Sequence, residues 1–251
     1  MVDHGGSPAM SSEAWKLLGQ PRFGGVLVVS DHASNRVPDD IDLGVAPALL
    51  NQHIAVDIGV AAVGALLAER PGIAAFQANI SRLVCDLNRD EHSPAIVPIS
   101  SDGHVIPGNR LGKAEREARI ERFYRPYHSA LGDLINSAPP ALILSIHSFT
   151  PSLMSHPDAQ RPWQVGVLYN TDGRGARLAM PLLEGDGLIV GDQEPYSGTI
   201  LNYTMNRHAE AEGRPYLGIE IRQDQIADAA GQAVWAERLA RIANAVALRL
   251  G

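Results

Sequence analysis

A three-layer α/β domain with a mixed, mostly parallel central sheet is the fold class this sequence predicts. Three observations carry that expectation. Apolar strand-like runs alternate with amphipathic helical ones, the pattern of strands joined by covering helices. The runs at 25–30 and 141–147 are aliphatic nearly throughout, as strands buried on both faces must be. At 251 residues, with 45% hydrophobic and 20% charged residues, the chain suits one undivided domain.

Taken in order, residues 1–20 read as a flexible tail, with His4 in solvent, ahead of one domain from 21 to 251. Strands are expected at roughly 25–30, 74–86, 141–147, 165–169, 188–192 and 216–222, each rich in Val, Ile or Leu and bounded by Gly, Pro, Asp or Asn. Helical patterns fill the intervals. Residues 57–70 place Val60, Val63 and Leu67 together and stop at Pro71-Gly72. Residues 113–136 align Ile120, Phe123, Tyr127, Leu131 and Leu134 on one face, with Pro126 expected to kink or divide the helix. Residues 199–212 and 228–250 are the remaining helices. Residues 91–112 hold six Pro or Gly breaks and no periodicity, which marks a functional loop and suits a lid.

Bulk properties exclude several classes. A net charge of −7 opposes nucleic acid and anionic membrane surfaces, whose attraction needs a basic field. The one cysteine, Cys85, rules out an internal disulfide and a thiolate cluster and points to a reducing, cytoplasmic setting. No run approaches a membrane span. The first strand is followed by no GxGxxG, which disfavours a dinucleotide-binding dehydrogenase.

The chemistry begins with two histidines. His147 ends the 141–147 run, and Asp31-His32 ends the 25–30 run. Open α/β sheets place their ligand crevice at such strand ends. A histidine there can be a core residue bonded to a carbonyl, but two at the same edge favour a shared metal site. A polar cluster, Asp86-Leu87-Asn88-Arg89, follows the apolar alternation from Ile80. Arg82 and Arg89 suit bidentate recognition of a carboxylate, or an ion pair with Asp86 or Asp90. Glu220 lies between Ile219 and Ile221, so its carboxylate is buried if the strand is central. It then serves as a base with a raised pKa, or pairs with Arg222 two positions on.

These clusters, with His32-Ala33-Ser34-Asn35-Arg36, His53-Ile54-Ala55-Val56-Asp57-Ile58-Gly59, Tyr124-Arg125-Pro126-Tyr127-His128 and Ile219-Glu220-Ile221-Arg222, resemble the N-formylglutamate amidohydrolase family, relatives of the zinc carboxypeptidases. The resemblance covers about residues 24–245. It implies a zinc-exopeptidase-like fold and one Zn2+ held by His32, Asp57 and His147, with other divalent ions as substitutes. The peptidases carry Glu three residues after the first histidine. Asn35 stands there instead, and Asp57, just ahead of the next helix, is the better ligand. The resemblance further implies Glu220 as general base and Arg82 as oxyanion stabiliser. Asn88 and Arg89 would bind a substrate carboxylate, with Arg222 assisting at a second. The implied reaction is hydrolysis of N-formyl-L-glutamate or a similar small anionic N-acyl amino acid. A related zinc peptidase or deacylase, or a metal-free anion-binding module, are the other readings.

Other polar residues carry less weight. Arg207 and His208 read as a helical surface pair and His128 as structural. His92, His104 and His156 sit in loops, and Gly173-Arg174-Gly175 is too slight for a phosphate loop.

Overall fold

A computed structural model describes residues 10–250. Its main sheet has eight strands: β1 (Met10–Ser11), β2 (Trp15–Leu18), β3 (Val26–Ser30), β4 (Ile73–Ala78), β7 (Leu142–Phe149), β8 (Val165–Leu168), β9 (Val190–Asp192) and β10 (Tyr216–Arg222). A small hairpin, β5 (Ser100–Ser101) and β6 (His104–Val105), stands apart. The helices are α1 (Val60–Ala68), α2 (Lys113–Arg119), α3 (Arg125–Ser137), α4 (Arg174–Gly185), α5 (Tyr203–His208) and α6 (Ala229–Leu250).

Strand order is β1-β2-β4-β3-β7-β10-β8-β9, and the four central strands, β4, β3, β7 and β10, run parallel. The chain leaves β3 towards β4 and later returns to place β7 on the other side of β3. That reversal is a topological switch point, where a crevice opens beyond the carboxyl ends of the strands.

Alternation within the strands builds the layers. Val26, Val28, Leu144, Ile146, Leu217 and Ile219 pack under α1, α4 and α6, against Val63, Leu67, Leu183, Trp235 and Leu239. Leu27, Val29, Phe76, Ile143 and Tyr216 face Phe123, Tyr127, Leu131, Ile135 and Met205. Each fully buried Leu, Ile or Phe in these layers contributes about 1.5–3 kcal/mol relative to exposure. The expected single three-layer domain is thus present.

Four local expectations are corrected. The tail does not extend to residue 20: β1 and β2 pair with each other and with β4, Leu17 is buried, and Trp15 stacks on Phe76 at 5.2 Å. Residues 1–9, with His4, lie outside the described residues. The strand expected over 74–86 ends at Ala78. Beyond it the Ser81 carbonyl accepts the Val84 and Cys85 N–H groups, so Ile80, Leu83 and Val84 are buried from a turn. Pro126 does not divide its helix. The helix widens into a π-helical turn at Ile120–Tyr124, where Arg125 N–H donates to Ile120 O, and this makes room for a ring that lacks an N–H. The helix expected over 199–212 shortens to α5, while α4, with Pro181 inside it, went unpredicted.

Gly59 sets the chain between Asp57 and α1. Its φ is 82°, and a Cβ there would lie 2.2 Å from Ile226 O. Gly59→Ala is expected to lower stability by roughly 1–3 kcal/mol from the backbone conformation alone, with the clash adding more. Denaturant unfolding measures it, and an unchanged midpoint would refute this role.

Candidate active site

Four strand ends supply the side chains. Two residues past β3, His32 is buried, and Asp57 N–H donates to its carbonyl at 3.0 Å, bringing the stretch before α1 over the crevice. His147 and Glu220 are register partners on β7 and β10. Because Ile146 and Ile219 face the α1–α6 side, both polar groups project from the opposite face. The turn after β4 delivers Arg82, Asp86, Asn88 and Arg89.

His32, Asp57 and His147 form a buried group able to hold a metal ion, with one ligand atom from each within 4.8 Å of the others. His32 Nε2–H donates to Asp86 Oδ1 at 2.7 Å, which turns the Nδ1 lone pair inward. That Nδ1 is buried and makes no hydrogen bond, 3.5 Å from Asp57 Oδ2. His147 Nδ1 lies 2.8 Å from Asp57 Oδ2, and its Nε2 faces Asp31 Oδ2 at 3.4 Å. Each imidazole therefore has a carboxylate behind it, the arrangement that orients histidine ligands in metal sites. Two nitrogens and one carboxylate oxygen suit zinc, and a cation would also offset the buried negative charge. The donor set fits. Asn35 does not belong to it, being exposed with its Nδ2 bonded to Asn51.

Asp86 ties the cluster together. Besides His32 it accepts Arg82 Nη2 at 2.9 Å and Asn88 N–H at 3.0 Å, and Arg89 Nε lies 3.5 Å away. Burial alone would raise its pKa, but the Arg82 guanidinium and His32 hold it well below the usual carboxylate range. Asp57 is likewise depressed: burial opposes, and His32 and His147 prevail. Glu220 goes the other way. Burial pushes it up to about 7, opposed by His147 and reinforced by Asp57.

A cavity of about 280 Å3 opens over these groups, lined by His32, Asp57, Arg82, Asn88, Arg89, His147 and Glu220. Asn88 Oδ1 accepts Thr204 N–H at 3.0 Å, so its NH2 group is the end left for a ligand. Arg89 Nε is buried without a hydrogen bond. Every expected site residue except Arg222 reaches the cavity. Arg222 ends β10 held by both oxygens of Asp224, at 2.7 and 3.0 Å, with its Nη1 on the carbonyls of 161–163. That ion pair turns it away from the site.

His92, His104 and His156 do not line the cavity. His208 is no surface residue: it is buried and bonded through Nε2 to His128 Nδ1 at 2.9 Å. The sequence reading missed Asp31 and Tyr196, and it gave no role to His53 or Asp102. Asp31 stands beside His32 and accepts Tyr127 OH at 2.7 Å and Thr204 Oγ1 at 3.0 Å. Its place at a buried strand end was the available signal. The expected loop 91–112 contributes Ser101 and Asp102 to the cavity wall.

A crevice at a switch point, holding cations, a buried carboxylate with a raised pKa and a group able to take a metal, marks an α/β protein with a candidate active site. The comparisons refine that class: the chain belongs to the N-formylglutamate amidohydrolase family, whose sequence pattern matches residues 24–227. A gene product of Agrobacterium tumefaciens is 32% identical, with 95% of this chain and 96% of that one covered and a TM-score of 0.87. N-formylglutamate amidohydrolase of Ralstonia eutropha JMP134 shares the fold at 21% identity, with 95% and 98% covered and a TM-score of 0.76. No curated protein sequence matches the chain.

The Glu220 shift has a stability consequence. A carboxyl raised from 4.5 to about 7 on folding costs nothing below pH 4.5, and its cost grows to full size above pH 7. In metal-free protein at pH 8, Glu220→Gln should therefore be more stable than wild type, by on the order of 3 kcal/mol. The difference should vanish at pH 4. Chelator-treated protein unfolded at both pH values tests this, and equal stability at pH 8 would contradict it.

Proposed function

We propose that the protein is a zinc-dependent amidohydrolase that cleaves the formyl amide of N-formyl-L-glutamate, or of a similar N-acyl amino acid, to the acid and the free amine. The observation that carries this reading is the convergence of the His32–Asp57–His147 group with buried Glu220 in one cavity that also presents Arg82 and Arg89. When bound, one divalent ion supplies Lewis acidity, polarising an amide carbonyl and making water a nucleophile at neutral pH.

The chain's own residues do the rest. Glu220 is the general base: its pKa near 7 leaves it able to take a proton from the attacking water and return it to the leaving amine nitrogen. Arg82, fixed by Asp86, stabilises negative charge developing on the carbonyl oxygen. Asn88 and Arg89 hold the substrate's α-carboxylate by charge-assisted hydrogen bonds. Asp86 and Asp31 keep each imidazole turned with Nδ1 inward. The substrate is a small anion, with neither nucleic acid nor membrane as partner, and the setting is cytoplasmic. Among the described residues, no helix is long and apolar enough to cross a membrane.

Formate release from N-formyl-L-glutamate tests the reaction. Zinc-loaded protein should turn over, chelation should abolish activity, and Glu220→Gln should lower kcat at least ~100-fold. Full activity after chelation, or in the variant, would overturn the mechanism. Asp86→Asn should weaken zinc binding roughly 10- to 100-fold in competition with a chromophoric chelator. Unchanged affinity would remove Asp86 from the support of the ligand.

A further inference from the structure

One wall of the cavity takes no part in the steps above. It is built around Asp102, in the turn of the β5–β6 hairpin, at a φ of 39° that non-glycine residues seldom adopt. The Asp102 carboxylate accepts four bonds: His53 Nε2–H at 3.0 Å, Met154 N–H at 3.0 Å, Ser155 N–H at 2.9 Å and the Ser155 hydroxyl at 2.8 Å. Three segments remote in sequence are thereby joined, and burial's upward push on the carboxyl is overcome by these donors, which bring it down to about 2. His53, Ser101, Asp102 and Ser155 all line the same cavity as Glu220 and Arg89.

The chemistry of this wall is specific. His53 gives its Nε2–H to Asp102, which fixes the ring, and as the imidazolium it has its Nδ1–H left to donate to an anion. The Ser101 hydroxyl has no protein partner among the described residues. Tyr196 OH, also on the cavity, accepts Arg161 Nη1 at 3.2 Å and so keeps its own proton to donate. An aliphatic side chain placed here would strip water from these groups and return no hydrogen bond. With both Asp102 oxygens saturated by donors, the wall is open to an acceptor.

We propose that His53 and Ser101, with the imidazole positioned by Asp102, form the subsite for the far end of the substrate's side chain and select one ending in a carboxylate. Asn88 and Arg89 then take the main-chain carboxylate, and His53 takes the place expected for Arg222. This inference rests on reading the cavity as an N-acyl amino acid site.

The test compares the N-formyl derivatives of L-glutamate, L-glutamine and L-norvaline on zinc-loaded wild type, His53→Leu, His53→Gln and Asp102→Asn. Wild type should favour the glutamate derivative over norvaline by roughly 10- to 100-fold in kcat/KM, the range of a hydrogen bond to a charged group. His53→Leu should bring that ratio to within about 3-fold, chiefly through KM, and His53→Gln should restore most of it. Asp102→Asn should fall between them. The proposal fails if His53→Leu leaves the ratio intact, if it slows both substrates equally, or if wild type favours glutamine or norvaline.

Calorimetric binding of free L-glutamate and L-norvaline to the same proteins separates this idea from the deformylase reading. If no formyl amide is cleaved, the deformylase reading falls. Glutamate binding weakened about 10-fold or more by His53→Leu would still support the subsite. Equal affinity for both amino acids, or none for either, would overturn it.

Discussion

The accumulation of carboxylates behind two imidazoles is the constraint on which the rest of the molecule depends. Asp31, Asp57, Asp86 and Glu220 are all buried around the crevice at the carboxyl ends of the central strands. Such charge stays folded only where each group has cations, donors or a proton. Arg82 and His32 answer Asp86, and the two histidines answer Asp57. Tyr127 and Thr204 answer Asp31, while burial leaves Glu220 to answer itself by holding a proton more tightly. The surrounding elements can be understood as whatever is needed to bring those partners in.

Helix packing does this at a distance. Phe123 and Tyr127 fill the layer over Phe76 and Ile143, and the same helix delivers Tyr127 OH to Asp31. Behind the 86–89 turn, His128 donates Nε2–H to Leu87 O, and His208 bonds the other ring nitrogen of His128. Burial lowers the pKa of His128 to about 3 and that of His208 to about 4, so both rings stay neutral and keep fixed tautomers. The peptide joining Asp86 to Asn88 is thus anchored by two helices. The parallel sheet in turn sets His147 beside Glu220, because register on adjacent strands fixes which side chains are neighbours.

How much of this was legible followed from periodicity. His32, His147 and Glu220 stood out because aliphatic strands announce themselves and a polar residue at their ends breaks the pattern. Asp57 was reached through the resemblance around His53 and Gly59. Periodicity misled where burial comes from a turn: Ile80, Leu83 and Val84 are as buried as any strand residue, so the strand was extended past Ala78. Arg222 shares a strand face with Glu220 in the alternation, but a short-range pair with Asp224 captured it at the strand end. The opening residues up to Leu18 were read as tail because β2 spans only four residues, too few for alternation to show. The wall around His53 and Asp102 consists of a hairpin turn and two loop segments brought together by four hydrogen bonds to one carboxylate, and nothing in a linear pattern encodes such a meeting.

The π-helical turn at Ile120–Tyr124 holds one more residue than an α-turn would. Each residue rotates a helix by about 100°, so the extra one shifts everything after it in phase. Tyr124 OH, on the Arg89 carbonyl, and Tyr127 OH, on Asp31, owe their common aim to that offset. Here the chain tunes angle with length: a single-residue indel in this segment would leave the helix intact yet swing its aromatic face off the crevice. Natural relatives should therefore vary in side chains along this helix far more readily than in the number of residues it contains.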